Sequence, residues 1–181
     1  MLSKTIPGTN ISYKDYDETF ENYRRMVSMT GGLSLGQICK ITGLQTSTIQ
    51  NWVKRSYVPH PENKKYFERH ISRILLIASL KDCMNIEEVG KLMVLINGDT
   101  DDESDDIVNE TQLYDYLCKI IQSLSFDDLR ERTIDKVVDV VIKDETIHKD
   151  RLILALKTMT YAYISGITSQ KTNFFLKELE K

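Results

Sequence analysis

The chain of 181 residues has room for one domain, or for one small module plus a second helical part. Its 41% hydrophobic and 28% charged residues are ordinary for a soluble globular protein, and only 8 Gly and 3 Pro argue against a loop-rich β-sandwich or a long disordered tail. The formal net charge of -3 argues, at first sight, against a nucleic-acid binder.

That charge is an average over two unlike halves. Residues 1–96 hold 13 Lys/Arg against 9 Asp/Glu, whereas residues 97–181 hold 11 against 18. Residues 34–73 alone hold 7 basic side chains against 2 acidic ones. The basic excess therefore sits in one short stretch, where a polyanion can be met locally.

At the start of the chain, residues 1–8 place no apolar stretch behind Lys4, so no secretory signal is expected. The apolar run at residues 74–78 is far short of a bilayer span. Cys39, Cys83 and Cys118 stand far apart without CxxC spacing, which fits reduced thiols. A cytoplasmic protein with no membrane partner is expected. Residues 1–32 form an N-terminal segment with one amphipathic helix, its stripe made by Tyr16, Phe20, Tyr23 and Val27.

The informative segment runs from Ser34 to Val58. Ser34 and Gln37 have capping-box spacing and predict a helix opening at Leu35, with Leu35, Ile38 and Cys39 on one face. It ends near Thr42, where Gly43 accommodates a left-handed exit. Thr46 is expected to cap a second helix running to about Arg55, with Ile49, Trp52 and Val53 on its buried side. Two short helices joined by a Gly-containing turn make a helix-turn-helix. The second helix leaves Ser47, Thr48, Gln50, Asn51, Lys54 and Arg55 on its outer side. Hydroxyls and amides suit base edges, and Lys and Arg suit phosphate or guanine, so major-groove contact is expected. A polar outer face in a protein-interaction module is the alternative.

The string Thr48-Ile49-Gln50-Asn51-Trp52-Val53-Lys54-Arg55-Ser56-Tyr57-Val58 resembles the recognition helix of MerR-type winged helix-turn-helix proteins. Gln50 stands where that family usually has Arg, and Ser56 where it has Gly, so no base preference carries over. The stretch from Pro59 to Tyr66 resembles the family's wing, with Lys64 and Tyr66 on its R-x-Y pattern. The resemblance implies that Lys64, Lys65 and Arg69 lie along the phosphate backbone. It also implies a two-helix continuation through Ile71, Ile74, Leu75 and Leu92, with a helix start at Asn85-Ile86-Glu87-Glu88. The implied DNA-contacting set is Thr46, Ser47, Thr48, Gln50, Asn51, Lys54, Arg55, Tyr57, Lys64, Lys65, Tyr66 and Arg69. A closer similarity covers most of the chain. The recognition-helix string, Asn63-Lys64-Lys65-Tyr66, Ile96-Asn97-Gly98-Asp99 and Leu113-Tyr114-Asp115-Tyr116-Leu117 resemble the bacterial family called domain of unknown function 1836. That resemblance implies a transcriptional regulator.

Residues 33–96 are thus expected to form the winged helix-turn-helix domain. The six acids of residues 99–106 belong to an acidic linker over 97–109. A cation site or a phosphate mimic competing for the basic face are the functional alternatives for this run, although the residues of an EF-hand are missing. Residues 110–181 form an all-helical dimerisation or sensor part. Leu113, Leu117, Ile120, Ile121 and Leu124 follow helical spacing, and Ser125 to Asp128 reads as a further helix start. Ile134, Val137, Val138, Val141 and Ile142 suit a helix better than a strand. Residues 149–164 are apolar nearly all round, as in a central helix, and Phe174, Phe175 and Leu179 mark a last amphipathic stretch.

Catalysis, cofactors and metals find little in the sequence. His60, His70 and His148 lack neighbours at metal spacing and are expected in surface or wing roles, and Cys39 is expected as a core thiol. The expected fold is mainly α: a MerR-like winged helix-turn-helix followed by a helical part. The expected activity is sequence-specific binding of double-stranded DNA by a homodimer, with a small-molecule effector in the C-terminal helices as an added expectation. A non-DNA-binding adaptor is the alternative.

Overall fold

The computed structural model describes residues 2–13, 21–98, 107–145 and 148–180. Among these the protein is helical: α1 (Glu21–Thr30), α2 (Leu35–Thr42), α3 (Thr46–Lys54), α4 (Glu68–Leu80), α5 (Ile86–Asn97), α6 (Glu110–Ser123), α7 (Glu131–Val141) and α8 (Lys149–Leu179). Extended backbone is confined to isolated bridges, with no named strand among the described residues.

The central element is α4, in which every residue from His70 to Leu80 is buried. An α-helix buried all round must be surrounded, and α4 packs against α1, α2, α5, α6 and α8. Its apolar residues join those of α6 and α8 in one continuous core. Four polar residues, His70, Ser72, Arg73 and Ser79, are buried with them, and Arg73 carries the largest demand for partners. Its Nη1 reaches Glu110 Oε1 at 3.2 Å, with the two side chains 2% and 1% exposed, and its Nε donates to the Tyr57 carbonyl at 3.1 Å. A buried guanidinium is tolerated because a carboxylate and a carbonyl meet it.

The helix starts follow local chemistry. At α2 both halves of the Ser34–Gln37 capping box form, and Gly43 ends the helix at φ 72 with its N–H on the Cys39 carbonyl. At α5 the Asn85–Glu88 box forms with both bonds at 2.9 Å. At α3 the cap is Gln45 rather than the expected Thr46, which is the first helical residue and exposed. His70, expected at the surface, is buried at the start of α4. Its Nδ1 accepts from the Phe67 N–H at 3.2 Å, which puts the ring proton on Nε2, donating to the His60 carbonyl at 2.9 Å.

Three further expectations are corrected. Cys39 is only half-buried, and the buried thiol is Cys118 on α6. Ser125 opens only a single 3-10 turn (Phe126–Asp128), between the buried Leu124 and the core-packed Leu129, and α7 starts separately at Glu131. The two apolar stretches at the end of the chain are one 31-residue helix, α8. The helix expected in residues 1–32 is present as α1, which buries Val27, while Tyr16, Phe20 and the Tyr23 side chain lie outside the described residues.

The N-terminal segment joins both halves of the chain. Leu2 N–H bonds the Leu124 carbonyl at 3.0 Å, Tyr114 Oη donates to the Pro7 carbonyl at 2.8 Å, and Asn10 N–H bonds the Ile41 carbonyl at 2.9 Å. Gly8, at φ 73, lies so close to α4 that a Cβ would stand 2.4 Å from the Leu75 carbonyl oxygen. The two ends of the acidic run are also held together. Ile107 N–H bonds the Ile96 carbonyl at 2.8 Å, and the Asn97 amide donates to the Val108 carbonyl. Residues 99–106 themselves lie outside the described residues.

Candidate nucleic-acid interface

Helix α3 is held from beneath and bare above. Ile49, Trp52 and Val53 are buried, and Thr46, Ser47, Gln50, Asn51 and Lys54 are exposed, with Thr48 half-buried at the edge. The outer face thus offers hydroxyl, amide and ammonium groups on a rigid element.

The chain leaves α3 by a sharp reversal at Ser56, φ 58, with Ser56 N–H on the Val53 carbonyl and Tyr57 N–H on the Trp52 carbonyl. A non-glycine residue in the left-handed region is strained. Beyond it, Glu62 and Lys65 exchange backbone bonds of 3.0 and 2.8 Å around Asn63 and Lys64, at φ 48 and φ 64. Two consecutive positive φ values between paired residues are those of a type I′ hairpin. This turn occupies the place of the expected wing, and a second bridge, Leu33 with Tyr66, ties its base to the start of α2.

The expected contact residues separate into groups. Lys64 is exposed on the turn beside the α3 face. Lys65 is half-buried with its ammonium on the Gly32 carbonyl at 3.3 Å. Tyr66 is 4% exposed, so its ring belongs to the core, and burial pushes its phenol up from the ordinary value. Arg69 points inward and donates from Nε to Glu110 Oε1 at 3.2 Å. Tyr66 therefore departs from the expected DNA-contacting set and Arg69 from the expected backbone contact, since the core and the Glu110 carboxylate hold them.

Arg55 is exposed but engaged. Its Nη2 donates to Glu87 Oε1 at 2.5 Å, and its guanidinium lies 5.0 Å over the half-buried Tyr57 ring. The hydrogen bond to Glu87 raises the Arg55 pKa, and the same bond holds the Glu87 carboxylate below its usual range. Gly90 completes this corner, because a Cβ there would stand 2.6 Å from the Tyr57 ring. Glu87 was read in the sequence only as part of a helix start. No spacing rule links it to Arg55, 32 residues away.

Between α3 and the turn lies an open cleft of about 620 Å³ with an apolar floor of Leu35, Val53 and Pro61 and a rim carrying Gln50, Lys54 and Lys64. Among the described residues no cluster of three His, Cys, Asp or Glu could hold a metal ion, and no helix is long and apolar enough to cross a membrane. The C-terminal helices contribute Tyr163, Gly166 and Gln170 to a separate polar cleft of about 390 Å³ against Thr5 and Ser79.

The chain is 25% identical over 114 residues to the uncharacterised protein YkrK of Bacillus subtilis (strain 168), a match covering 59% of this chain and 49% of the relative. The chain thus spans about half the length of the curated relative it matches. No solved structure matches it significantly. Residues 30–117 match the profile of a domain of unknown function, DUF1836, so the chain is similar to that family from the entry into α2 through most of α6.

Proposed function

We propose that this chain is a double-stranded DNA-binding transcriptional regulator that reads the major groove with α3. The observation that carries the reading is the divided surface of α3: a buried anchor of Ile49, Trp52 and Val53, and an exposed face of Ser47, Gln50, Asn51 and Lys54. Side chains of this kind on a rigid helix suit base-edge and phosphate contacts. The Asn63–Lys64 turn puts a second cation beside that face, where a winged module meets the backbone. Two copies together would present α3 to two half-sites. In this reading the protein is not an enzyme and works in the cytoplasm.

The test is selection of bound fragments from random double-stranded DNA by the full chain. Enrichment of a shared motif, lost in Asn51→Ala, supports the reading. No enrichment at any salt concentration rejects it. The apolar cleft beside α3 favours a second reading, in which the module docks a peptide as an adaptor. Binding to DNA that is independent of sequence, with no loss in Gln50→Ala or Asn51→Ala, would turn attention to that cleft.

A further inference from the structure

Helix α8 has two faces of different fate. From Leu152 to Gly166 one face is buried against α4, α5, α6 and α7, whereas every residue from Thr168 to Glu180 is exposed. Along the open side, exposed apolar residues recur: Leu154, Tyr161, Phe175 and Leu179 are 65%, 44%, 63% and 84% exposed. Between them stand Thr158, Ser165, Thr168 and Thr172, all exposed. Together these positions alternate steps of four and three residues over the whole helix, the period of a helix-pairing seam. None of them is charged. The seam is hidden in the sequence because the buried face of the same helix adds apolar residues at other phases.

The threonine hydroxyls on this seam are already satisfied. Thr158, Thr168 and Thr172 each donate to the carbonyl four residues earlier, at 2.8, 2.9 and 3.1 Å. With the hydroxyl turned to its own backbone, a threonine can be covered without leaving a buried donor unpaired.

We propose that this seam is a homodimer interface in which two α8 helices pair antiparallel, with the partner's Leu179 opposite Leu154. The inference deepens the pairing element of the DNA-binding reading. In this register Phe175 meets the partner's Thr158 and Tyr161 meets the partner's Thr172, so each aromatic ring faces a small side chain. Ser165 lies by the partner's Thr168 at the centre, where two helices can approach closely. Lys157, which also holds Asp135 at 2.7 Å, comes beside the partner's Glu178. Sliding the pair by one heptad would instead set Lys157 against the partner's Lys171 and Asp150 against the partner's Glu178. At roughly 200 Å² for a whole leucine or aromatic side chain, the four apolar residues present about 500 Å² per copy. Leu176 flanks the seam and is 53% exposed, which brings the total to about 600 Å² per copy, the lower end of specific interfaces.

The test is sedimentation of the full chain without DNA, followed by oxidative cross-linking. The wild-type chain sediments as a dimer at micromolar concentration. Phe175→Glu with Leu179→Glu, both at positions exposed in the single chain, gives a monomer with unchanged helicity and thermal unfolding. With Cys83→Ser as background, the Leu154→Cys and Leu179→Cys double variant cross-links, whereas neither single cysteine does. A monomeric wild type, a dimer that survives both glutamates, or cross-linking by Leu154→Cys alone would each overturn the proposal. Dimerisation is read without DNA, so its failure is separate from failure of DNA binding.

Discussion

Arg55 at the end of α3 is held by Glu87 of α5, with Nη2 and Oε1 2.5 Å apart. The last cation of the candidate reading helix is therefore neutralised in the free protein, and phosphate must compete with Glu87 for it. Glu87→Gln should tighten DNA binding by about two- to five-fold, the scale of an exposed ion pair. Glu88→Gln changes the net charge equally without touching Arg55 and should give a smaller effect in the same fluorescence titration. Because Glu87 titrates below the usual range, the pair is intact at neutral pH. Its contribution is lost as pH falls through that lowered pKa.

The reversal after α3 and the hairpin that follows both use left-handed residues, Ser56 at φ 58 and Lys64 at φ 64. Glycine removes a strain of about 1 kcal/mol at such a position. Ser56→Gly should raise the unfolding free energy by about that amount with DNA binding intact. Lys64→Gly should stabilise similarly while weakening DNA binding, which separates the turn's shape from its charge. Urea unfolding and a binding titration on each variant check both outcomes.

The buried pair of Arg73 and Glu110 spans the proposed boundary between the reading module and the helical body. Removing one member leaves an uncompensated buried charge, so Glu110→Ala should cost about 3–5 kcal/mol. Calorimetry should still show one transition, since α4, α6 and α8 share a core. By contrast Arg24→Ala, at a surface pair with Glu68, should change stability by no more than about 1 kcal/mol.

The three thiols should differ in reactivity. Cys118 is buried and its pKa is pushed up by burial, followed by the nearby Asp115 charge and against a lowering hydrogen bond with Tyr114. Cys83 is exposed, and Cys39 is half-buried with its pKa raised, again chiefly by burial. Labelling of the native protein with a thiol reagent at neutral pH should modify Cys83 first and Cys118 only on unfolding.

The local part of the fold was legible because its causes are local. The Ser34–Gln37 and Asn85–Glu88 boxes, Gly43, and the Ile49, Trp52 and Val53 stripe all act within one or two turns of chain. The candidate site was legible on α3 for the same reason. What the sequence hid depends on distant residues: Glu87 on Arg55, Glu110 on Arg69 and Arg73, and the burial of Tyr66 against the start of α2. His70 was misjudged because its role is a bond to a carbonyl ten residues back, for which no side-chain pattern exists. The full length of α8 was obscured because the polar run from Thr168 to Asn173 separates its two apolar parts.

The most direct test of DNA reading is the salt dependence of affinity for a selected sequence, measured on the wild type and on Lys54→Ala. With Lys54, Arg55 and Lys64 of two copies meeting phosphates, log affinity should fall against log salt with a slope of about -5. Loss of Lys54 from both copies should reduce that slope by nearly 2. A flat salt dependence, or one unchanged by Lys54→Ala and Lys64→Ala together, would contradict the placement of α3 on DNA.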